Sequence, residues 1–383
     1  MAMNHFSVSS LPCVFMRGGT SKGCMFLKKD LPAREEWDDI FCRIMGNPNP
    51  SQIDGMGGCV SSNNKIVIVN PSERPGIDVD YLVGQSIVGK NMIDYKSNCG
   101  NMTAAAAPFA VEMGLVKNLT EPITVVHMYN ENTKKYIDVE VPVKDGKFNN
   151  EGTCAIAGVD GTCGELKVHF LNPAGSKTGK LLPTGNVKDT IEVPGVGKLD
   201  VTILDVSNPI VLVKASDVAG DITKLPSEIN ADKTLTDKLE AIRGTAAVMM
   251  GFAADLADAT ANSPAVPKVG MIAAPASYTT LQGNPVTEAD ADLDVRIMSI
   301  FLCHKACPLT SASAISVAAA LEGSLVTDVL GRTMPSGSSV NLGHPSGVMT
   351  MYPDIEKEAD EIKVPSVAVA RTARRIMDGT IYL

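Results

Sequence analysis

Cys99 is placed where a thiol could transfer a proton. It lies in the run Asn-Cys-Gly-Asn, directly before an alanine-rich stretch, 102–114, that has helical character. Backbone amides at the N-terminus of a helix are unpaired and carry partial positive charge, so they favour a thiolate or a substrate carboxylate. Cysteines in such positions are reactive because the thiolate is stabilised. The pattern predicts a functional thiol at the start of a helix; a plain turn with a buried thiol is the alternative.

The neighbours of Cys99 would help to bind an anion. Gly100 has no side chain, so it lets a ligand approach the backbone closely. Asn98 and Asn101 carry amide groups that can cap the helix or donate to a carboxylate. We therefore expect Asn98, Gly100 and Asn101 to contact a substrate carboxylate.

Lys65 is the candidate for a second proton-transfer group. It begins the apolar run Lys-Ile-Val-Ile-Val, which is typical of a β-strand. A lysine that opens a buried strand either reaches water or is held near an anion. A thiol and an amine can act together as acid and base. We favour Lys65 as the base and Cys99 as the group that faces it, and the opposite assignment stays open.

The composition favours a protein that acts on small molecules. The chain has 383 residues, a formal net charge of −9 and a pI near 5.2. An acidic chain argues against a nucleic-acid protein, which usually shows a basic patch, whereas small anions are held by local donors whatever the global charge. No apolar stretch approaches the ~20 residues that span a bilayer, and the N-terminus lacks a secretory signal pattern. We expect a cytoplasmic protein without nucleic-acid or membrane partners; a homo-oligomer is compatible with the sequence.

The two halves of the chain resemble each other weakly. Three stretches of the first half have counterparts in the second half, in the same order, which favours an internal duplication. These pairs are 63–72 with 267–277, 78–87 with 292–300, and 98–116 with 305–326.

This internal comparison singles out the first half as the one with a thiol at the helix start. Matching Thr103 to Thr310 puts Ala306 opposite Cys99, with Cys307 one place away. Val269 stands near the position that corresponds to Lys65. A fold with one thiol needs another group for the second proton transfer, and Lys65 is that candidate.

The element pattern predicts an α+β fold. Short β-like runs are joined by Gly and Pro turns, which favours antiparallel sheets. The stretches 102–114 and 309–321 are apolar on nearly every side, as buried helices are. Each half is therefore expected to wrap a curved, mostly antiparallel sheet around one central helix. The expected domains are 1–190 and 191–383, with the C-terminal segment returning to the first. Further helices are expected at 33–45, 232–257 and 354–362, and a helix followed by a strand at 370–383.

Several motifs are discounted as cofactor or metal sites. The run Gly-Gly-Thr-Ser-Lys-Gly at 18–23 lacks the lysine and hydroxyl that close a phosphate loop, and the glycines at 54–59 lack dinucleotide-fingerprint spacing. Cys303, His304 and Cys307 lie close together, but a zinc site needs more ligands at workable spacing. We expect no metal and no cofactor.

Six motifs together resemble one enzyme family. The chain is similar to the 2-methylaconitate isomerase family, which includes methylitaconate Δ-isomerase and 4-oxalomesaconate tautomerase. The family has the diaminopimelate epimerase-like fold, with two similar domains and an active site between them. The motifs are PCVFMRGGTSKG (12–23), QIDGMGG (52–58), DVDYLVGQ (78–85), SNCGNMTAA (97–105), LLPTGNVKD (181–189) and GHPSG (343–347).

The resemblance implies roles for residues in this chain. A catalytic lysine and cysteine carry over to Lys65 and Cys99. The sequence before Lys65 is Ser-Ser-Asn-Asn, where many relatives have a Thr-Ser-Lys run, so the hydrogen bonding around this lysine differs from theirs. The residues that the resemblance implies for substrate binding, in addition to those next to Cys99, are Gly19, Thr20, Ser21, Asn64, His344 and Ser346.

The predicted function is that of a cofactor-independent isomerase that moves a C=C bond by a 1,3-proton shift. The first choice of substrate is (R)-3-methylitaconate, converted to 2,3-dimethylmaleate. Cis–trans isomerisation of 2-methylaconitate and tautomerisation of 4-oxalomesaconate are the alternatives within the family. An amino-acid epimerase or racemase usually needs two opposed cysteines, and Ala306 argues against it. A non-catalytic carboxylate-binding protein also stays open.

Overall fold

The fold mixes strands and helices, and the structure, a computed structural model, describes residues 6–96, 99–358 and 361–383. The α-helices within these residues are α1 Trp37–Met45, α2 Gly100–Glu112, α3 Pro226–Ala231, α4 Lys233–Met249, α5 Leu256–Asn262, α6 Leu309–Ala319 and α7 Leu325–Leu330. The strands are β1 Ser10–Gly18, β2 Ser21–Leu27, β3 Lys65–Pro71, β4 Val79–Ser86, β5 Ile93–Asp94, β6 Ile123–Asn130, β7 Lys135–Lys144, β8 Lys147–Phe148, β9 Leu166–Leu171, β10 Asp189–Val193, β11 Gly197–Val206, β12 Asn208–Lys214, β13 Lys268–Ala273, β14 Tyr278–Thr279, β15 Pro285–Val286, β16 Leu293–Ser299, β17 Leu302–Cys303, β18 Val340–His344, β19 Gly347–Glu358, β20 Glu361–Arg371 and β21 Ala373–Tyr382.

The chain divides into two compact units. The first unit comprises Met1–His169 and Ala370–Leu383, and the second comprises Phe170–Val369. The sequence-based boundary between residues 190 and 191 lies later in the chain than this division. The loop before β10 belongs with the second unit because the buried Asp205 of β11 accepts hydrogen bonds from Ser176 and from the backbone and side chain of Thr178.

The first unit is built on a sheet with two parallel pairings among antiparallel ones. β1 and β2 are antiparallel, β2 and β3 parallel, β3 and β4 antiparallel, β4 and β6 parallel, and β6 and β7 antiparallel. β21 pairs with β1 along its whole length. One face of this sheet packs on α1 in an apolar cluster that contains Phe26, Phe41 and Ile66. The other face packs on α2.

The second unit repeats this order of pairings. β11 and β12 are antiparallel, β12 and β13 parallel, β13 and β16 antiparallel, β16 and β18 parallel, and β18 and β19 antiparallel. Its outer face packs on α3 and α4 through a cluster that includes Val269, Leu239 and Ile229. The repeat agrees with the duplication read from the sequence, and the predicted α+β fold with a central helix in each half is confirmed.

The central helices α2 and α6 are buried on all sides. In α2 every residue from Met102 to Val111 is buried, and in α6 every residue from Ser311 to Ala319. Small side chains allow the sheet to approach closely: a Cβ atom on Gly18 of β1 would lie only 2.2 Å from the carbonyl oxygen of Asn101. Pro108 lies inside α2, which continues beyond it to Glu112.

Two predicted helices are wrong, and a third is divided. The segment 354–362 was expected as a helix, but its described residues belong to β19 and β20, which pair antiparallel. The segment 370–383 carries the end of β20 and then β21, without a helix in it. Charged residues with high helix propensity are exposed in these strands, and pairing overrides their local preference. The predicted helix 232–257 is divided into α4 and α5.

A buried Asp–Arg pair lies on the outer face of β16. Asp294 and Arg296 are fully buried. Asp294 accepts a hydrogen bond from the amide of Ala276 (2.9 Å), and the guanidinium of Arg296 lies over the ring of Tyr278. In the described part of the chain, Oδ1 of Asp294 and Nη2 of Arg296 have no hydrogen-bond partner. Burial raises the pKa of Asp294 to about 6, although the Ala276 amide and Arg296 act in the opposite direction.

This pair makes stability depend on pH. The folded protein holds the Asp294 proton more tightly than the unfolded chain does, so ionisation between about pH 4 and 6 lowers the free energy of unfolding, by up to about 3 kcal/mol. Asp294→Asn is expected to remove this loss and to be more stable than the parent at pH 8. Urea unfolding from pH 4 to 8 measures it, with the exposed Asp237→Asn as the control. A variant that keeps the parent's pH dependence would contradict this reading.

Candidate active site

Cys99 occupies the N-cap position of the buried helix α2. Its backbone is extended, its carbonyl accepts the amide of Thr103 at 3.0 Å, and its side chain makes no capping hydrogen bond. The first amides of α2 are therefore not capped by the Cys99 side chain, and helix N-termini bind anions in this state. The thiol is half-buried. Its sulfur lies 4.0 Å from Oγ of Ser21. Asn98 lies outside the described residues.

The turn between β1 and β2 is held against the start of α2. The side-chain amide of Asn101 donates to Oγ1 of Thr20 at 2.9 Å and to Oγ of Ser21 at 3.3 Å. Gly19 has a positive φ of 49°, and a Cβ atom there would lie 2.2 Å from Oδ1 of Asn101. The structure thus brings together Gly19, Thr20, Ser21, Asn101 and Cys99, five of the residues predicted for the site.

Lys65 begins β3 and is held by a glutamine. Its Nζ donates to Oε1 of Gln85, which lies directly opposite on β4. The amide group of Gln85 is anchored in turn, because it donates to the carbonyls of Ser61 and Asn64. Gln85 was not singled out by the sequence analysis, although it ends the DVDYLVGQ motif.

Asn64 is buried and stabilises the start of β3, next to Lys65. Its side chain is fully buried, accepts from the amide of Gln52 and donates to the carbonyl of Val60 at 2.9 Å. These hydrogen bonds occupy the side-chain oxygen and nitrogen of Asn64, which are the atoms with which it could otherwise bind a substrate. Asn64 therefore fixes the start of β3 in this structure, which explains how the QIDGMGG motif contributes to the site through Gln52.

Lys65 lies on the face of the sheet that also carries Ser21, the residue next to the Cys99 sulfur. Successive residues of a strand point to opposite faces, and Cys24, Phe26, Ile66 and Ile68 all belong to the apolar cluster on α1. Ser21 and Lys65 alternate with these residues, so both point to the α2 face. Since Lys65 pairs with Gly23, strand spacings put the Cα atoms of Ser21 and Lys65 roughly 8 Å apart. An amine and a thiol on flexible side chains can both reach a small molecule over that distance.

Gly100 gives the site an open surface. Apart from its two chain neighbours and the backbone of its own helix, an added Cβ atom at Gly100 would meet no heavy atom of the described residues within 4 Å. Its φ is not positive. The backbone at the first turn of α2 is therefore accessible to a ligand.

Gly100→Ala is expected to separate binding from stability. Alanine is favoured over glycine in a helix by about 0.5–1 kcal/mol, so the variant should unfold at an equal or higher temperature. The new methyl group stands where a carboxylate would approach, so activity should fall roughly tenfold or more, the effect of losing one hydrogen bond to a charged group. Thermal unfolding and steady-state kinetics measure both; full activity in the variant would contradict a ligand at this backbone.

His344 and Ser346 belong to the second unit, so the contacts around Cys99 within the first unit do not include them. His344 is buried, and its Nδ1 accepts the amide of Ser346 at 3.1 Å. The hydroxyl of Ser346 donates to the carbonyl of Lys305, and the backbone oxygen of His344 accepts from the hydroxyl of Tyr278. These bonds fix the turn of the GHPSG motif.

The second unit has its own lysine at the position of Lys65. Lys268 is the first residue of β13, as Lys65 is of β3, and its Nζ donates to Oγ of Ser299 at the end of β16 (2.8 Å). Burial lowers the pKa of Lys268. The sequence comparison put Val269 near this position because it aligned Pro71 with Pro275. Pro71 lies inside β3, whereas β13 ends at Ala273.

Two further cysteines lie near the turn of β1 and β2. The backbones of Cys154 and Cys163 exchange both hydrogen bonds, at 3.1 and 3.0 Å, and both thiols are free. The guanidinium of Arg17 donates to the sulfur of Cys163 at 3.2 Å and to Oγ1 of Thr372 at 2.9 Å. Arg17 was quoted in a motif but was not predicted as a site residue.

Neither a metal-binding cluster nor a membrane-spanning helix is found among the described residues. No group of three or more His, Cys, Asp or Glu side chains in the described ranges comes together in a way that could hold a metal ion. Across residues 6–96, 99–358 and 361–383, helices fall short of the length and apolarity that a membrane crossing requires.

Known proteins are similar to this chain over nearly its whole length. A profile of the PrpF protein family matches residues 8–383. The chain is 40% identical to the 3-methylitaconate isomerase of Eubacterium barkeri over 97% of both chains. It is 36% identical to the 2-methyl-aconitate isomerase of Shewanella oneidensis over 96% of this chain and 95% of the relative. A crystal structure of methylitaconate-delta-isomerase matches with a TM-score of 0.83 and 39% identity, covering 98% of this chain and 95% of that one.

Proposed function

Because this chain belongs to the PrpF protein family and is an isomerase, we propose that it moves a C=C bond in a small unsaturated dicarboxylate, converting 3-methylitaconate into 2,3-dimethylmaleate. The substrate is taken from the relative named 3-methylitaconate isomerase, which is similar over nearly the whole of both chains. The matching crystal structure carries the same activity in its name.

One observation carries the proposal: the thiol at the N-terminus of α2 touches the strand that pairs with the start of β3. Cys99 meets Ser21 of β2, and Lys65 pairs with Gly23 of the same strand. Ser21 and Lys65 point to the same face. This arrangement supports an acid and a base that act on one bound molecule.

In the proposed reaction the site's groups have separate tasks. Lys65 removes the proton from the carbon that carries the methyl group, and Cys99 returns a proton to the methylene carbon, so that the double bond moves between them. Charge spreads into a carboxylate-bearing dienolate as the first C–H bond breaks. The amides at the start of α2, which the Cys99 side chain does not cap, stabilise this charge because they are already oriented. The reaction requires no redox step and no cofactor.

Other residues orient these groups in the proposal. Gln85 holds the amine of Lys65 in place and leaves its other protons free to exchange. Asn101 fixes the hydroxyls of Thr20 and Ser21, which are proposed to contact a carboxylate. His344 and Ser346 are proposed to contribute to substrate binding from the second unit. A cytoplasmic location is proposed as well, supported by the nine cysteines, none of which forms a disulfide in the described part of the chain.

An ultraviolet absorbance screen tests the function. Purified protein is mixed with 3-methylitaconate, 2-methylaconitate and simple dicarboxylates, and the formation of conjugated product is followed. The proposal expects turnover of 3-methylitaconate with the highest kcat/KM of the set. Faster turnover of 2-methylaconitate would show that 2-methylaconitate, and not 3-methylitaconate, is the substrate. In a separate incubation with amino acids in D₂O, exchange at the α-carbon would show that the protein is an epimerase or racemase instead.

A further inference from the structure

Arg371 lies beside the turn that carries Thr20 and Ser21. It is the last residue of β20 and belongs to the first unit. The next residue, Thr372, accepts the amide of Gly19 at 2.8 Å through its backbone oxygen. β1 and β21 then pair from Gly18 onwards. The chain at Arg371 is therefore fixed against the β1–β2 turn that meets the start of α2.

The guanidinium of Arg371 has little to bind within the protein. It is partly buried, and its one hydrogen bond among the described residues runs from Nη1 to the carbonyl of Ala370 at 2.9 Å. None of the ion pairs of the described residues includes Arg371. The groups that act on its charge are the thiols of Cys154 and Cys99, while burial lowers the pKa of Arg371. A partly buried cation without an anion is unfavourable, unless a ligand supplies the anion.

Arg17, on β1, shows the contrast. Its Nη1 donates to the carbonyl of Gly19 and to both oxygens of Thr372, and its Nη2 donates to Cys163. These bonds occupy Arg17 in holding the turn. Arg371 comes from the same region, interacts with the thiols of Cys154 and Cys99 instead, and among the described residues uses only one of its donors, in the bond to Ala370.

The proposed substrate brings two carboxylates to this site. The amides at the start of α2 are suited to one of them. An arginine matches the other, because its planar fork donates two parallel hydrogen bonds to a carboxylate. We propose that Arg371 binds the second carboxylate of the substrate and so selects dicarboxylates over monocarboxylates, an inference that rests on the proposed function.

Binding to a matched pair of acids tests this role. The probes are 2,3-dimethylmaleate and (E)-2-methylbut-2-enoate, which is the same molecule with one carboxylate replaced by hydrogen. Arg371→Gln should weaken the diacid about 10- to 150-fold, the range for a hydrogen bond to a charged group, and the monoacid less than about threefold. Arg371→Lys keeps the positive charge but loses the two parallel donors. Its affinity for the diacid should therefore lie between those of the parent and Arg371→Gln. Calorimetry gives the dissociation constants, and KM for 3-methylitaconate should rise more than kcat falls.

Arg374→Gln is the matched control, since Arg374 is exposed on β21 and pairs through its backbone with Arg17. It should leave both affinities unchanged. Equal weakening of diacid and monoacid by Arg371→Gln would show a structural role and overturn the proposal, as would an unchanged affinity for the diacid. Parent protein that binds dimethylmaleate without isomerising 3-methylitaconate, and loses that binding in Arg371→Gln, would support Arg371 while overturning the proposed reaction.

Discussion

Lys65→Ala is expected to lower kcat/KM roughly 10³- to 10⁴-fold, at the upper end of what one general base contributes. The amine is the base of the proposed proton shift, and the bond from Gln85 keeps it on the α2 face. Removing it leaves Gln85 anchored to the carbonyls of Ser61 and Asn64, so the sheet should stay intact. Steady-state kinetics with 3-methylitaconate measure the loss, and circular dichroism checks the fold.

Lys22→Ala is the matched control for Lys65. Lys22 lies next to Gly23 on β2, but its Nζ lies over the ring of Phe15, on the opposite face of the sheet. The account expects activity within about threefold of the parent, as for a surface substitution away from the site. Added methylamine should restore part of the activity of Lys65→Ala and none to the control. A kcat/KM of Lys65→Ala close to that of the parent would show that Lys65 is not the base.

Cys99→Ser is expected to lower kcat/KM roughly 10²- to 10³-fold, because a hydroxyl transfers the proton at this position far less readily than a thiol does. Stability should be equal or slightly higher, since serine is a preferred N-cap residue and the cysteine makes no capping bond. Kinetics and thermal unfolding on the same preparation separate the two effects.

Cys59→Ser serves as the cysteine control. Cys59 is exposed, and its sulfur contacts only the backbone of Ser51 among the contacts described. Iodoacetamide should inactivate the parent and Cys59→Ser alike, and dimethylmaleate should protect both. If iodoacetamide still inactivates Cys99→Ser and the diacid gives no protection, the reactive thiol is a cysteine other than Cys99.

The sequence was informative where local pattern decides structure. The apolar surroundings and small residues of 102–114 and 309–321 predicted two buried helices, and the motifs predicted the family, which the comparisons confirm. The type and position of Cys99 were readable because a helix N-terminus follows from the chain itself. A role for Ser21 in substrate binding was implied only through the family, and its contact with Cys99 was not predicted, because it depends on how β2 packs against α2.

The sequence analysis did not predict residues whose role in the site depends on tertiary contacts. Gln85 meets Lys65 only through strand pairing, and Arg371 lies far along the chain from Cys99; neither residue type marks a site by itself. Lys268 was missed because the halves were aligned on prolines rather than on strand register. The acidic segment 354–362 was misread because its helix-forming residues are held as strands by pairing with neighbours that local propensity does not reveal.

The central claim is that one amine and one thiol on the α2 face carry the proton shift, and isomerisation in D₂O followed by proton NMR tests it most directly. Because both groups exchange with solvent, the parent is expected to form dimethylmaleate with deuterium in its newly formed methyl group, whereas Lys65→Ala and Cys99→Ala should not move the double bond at a comparable rate. Product without deuterium from the parent, or migration of the double bond at the parent's rate in both variants, would contradict the account.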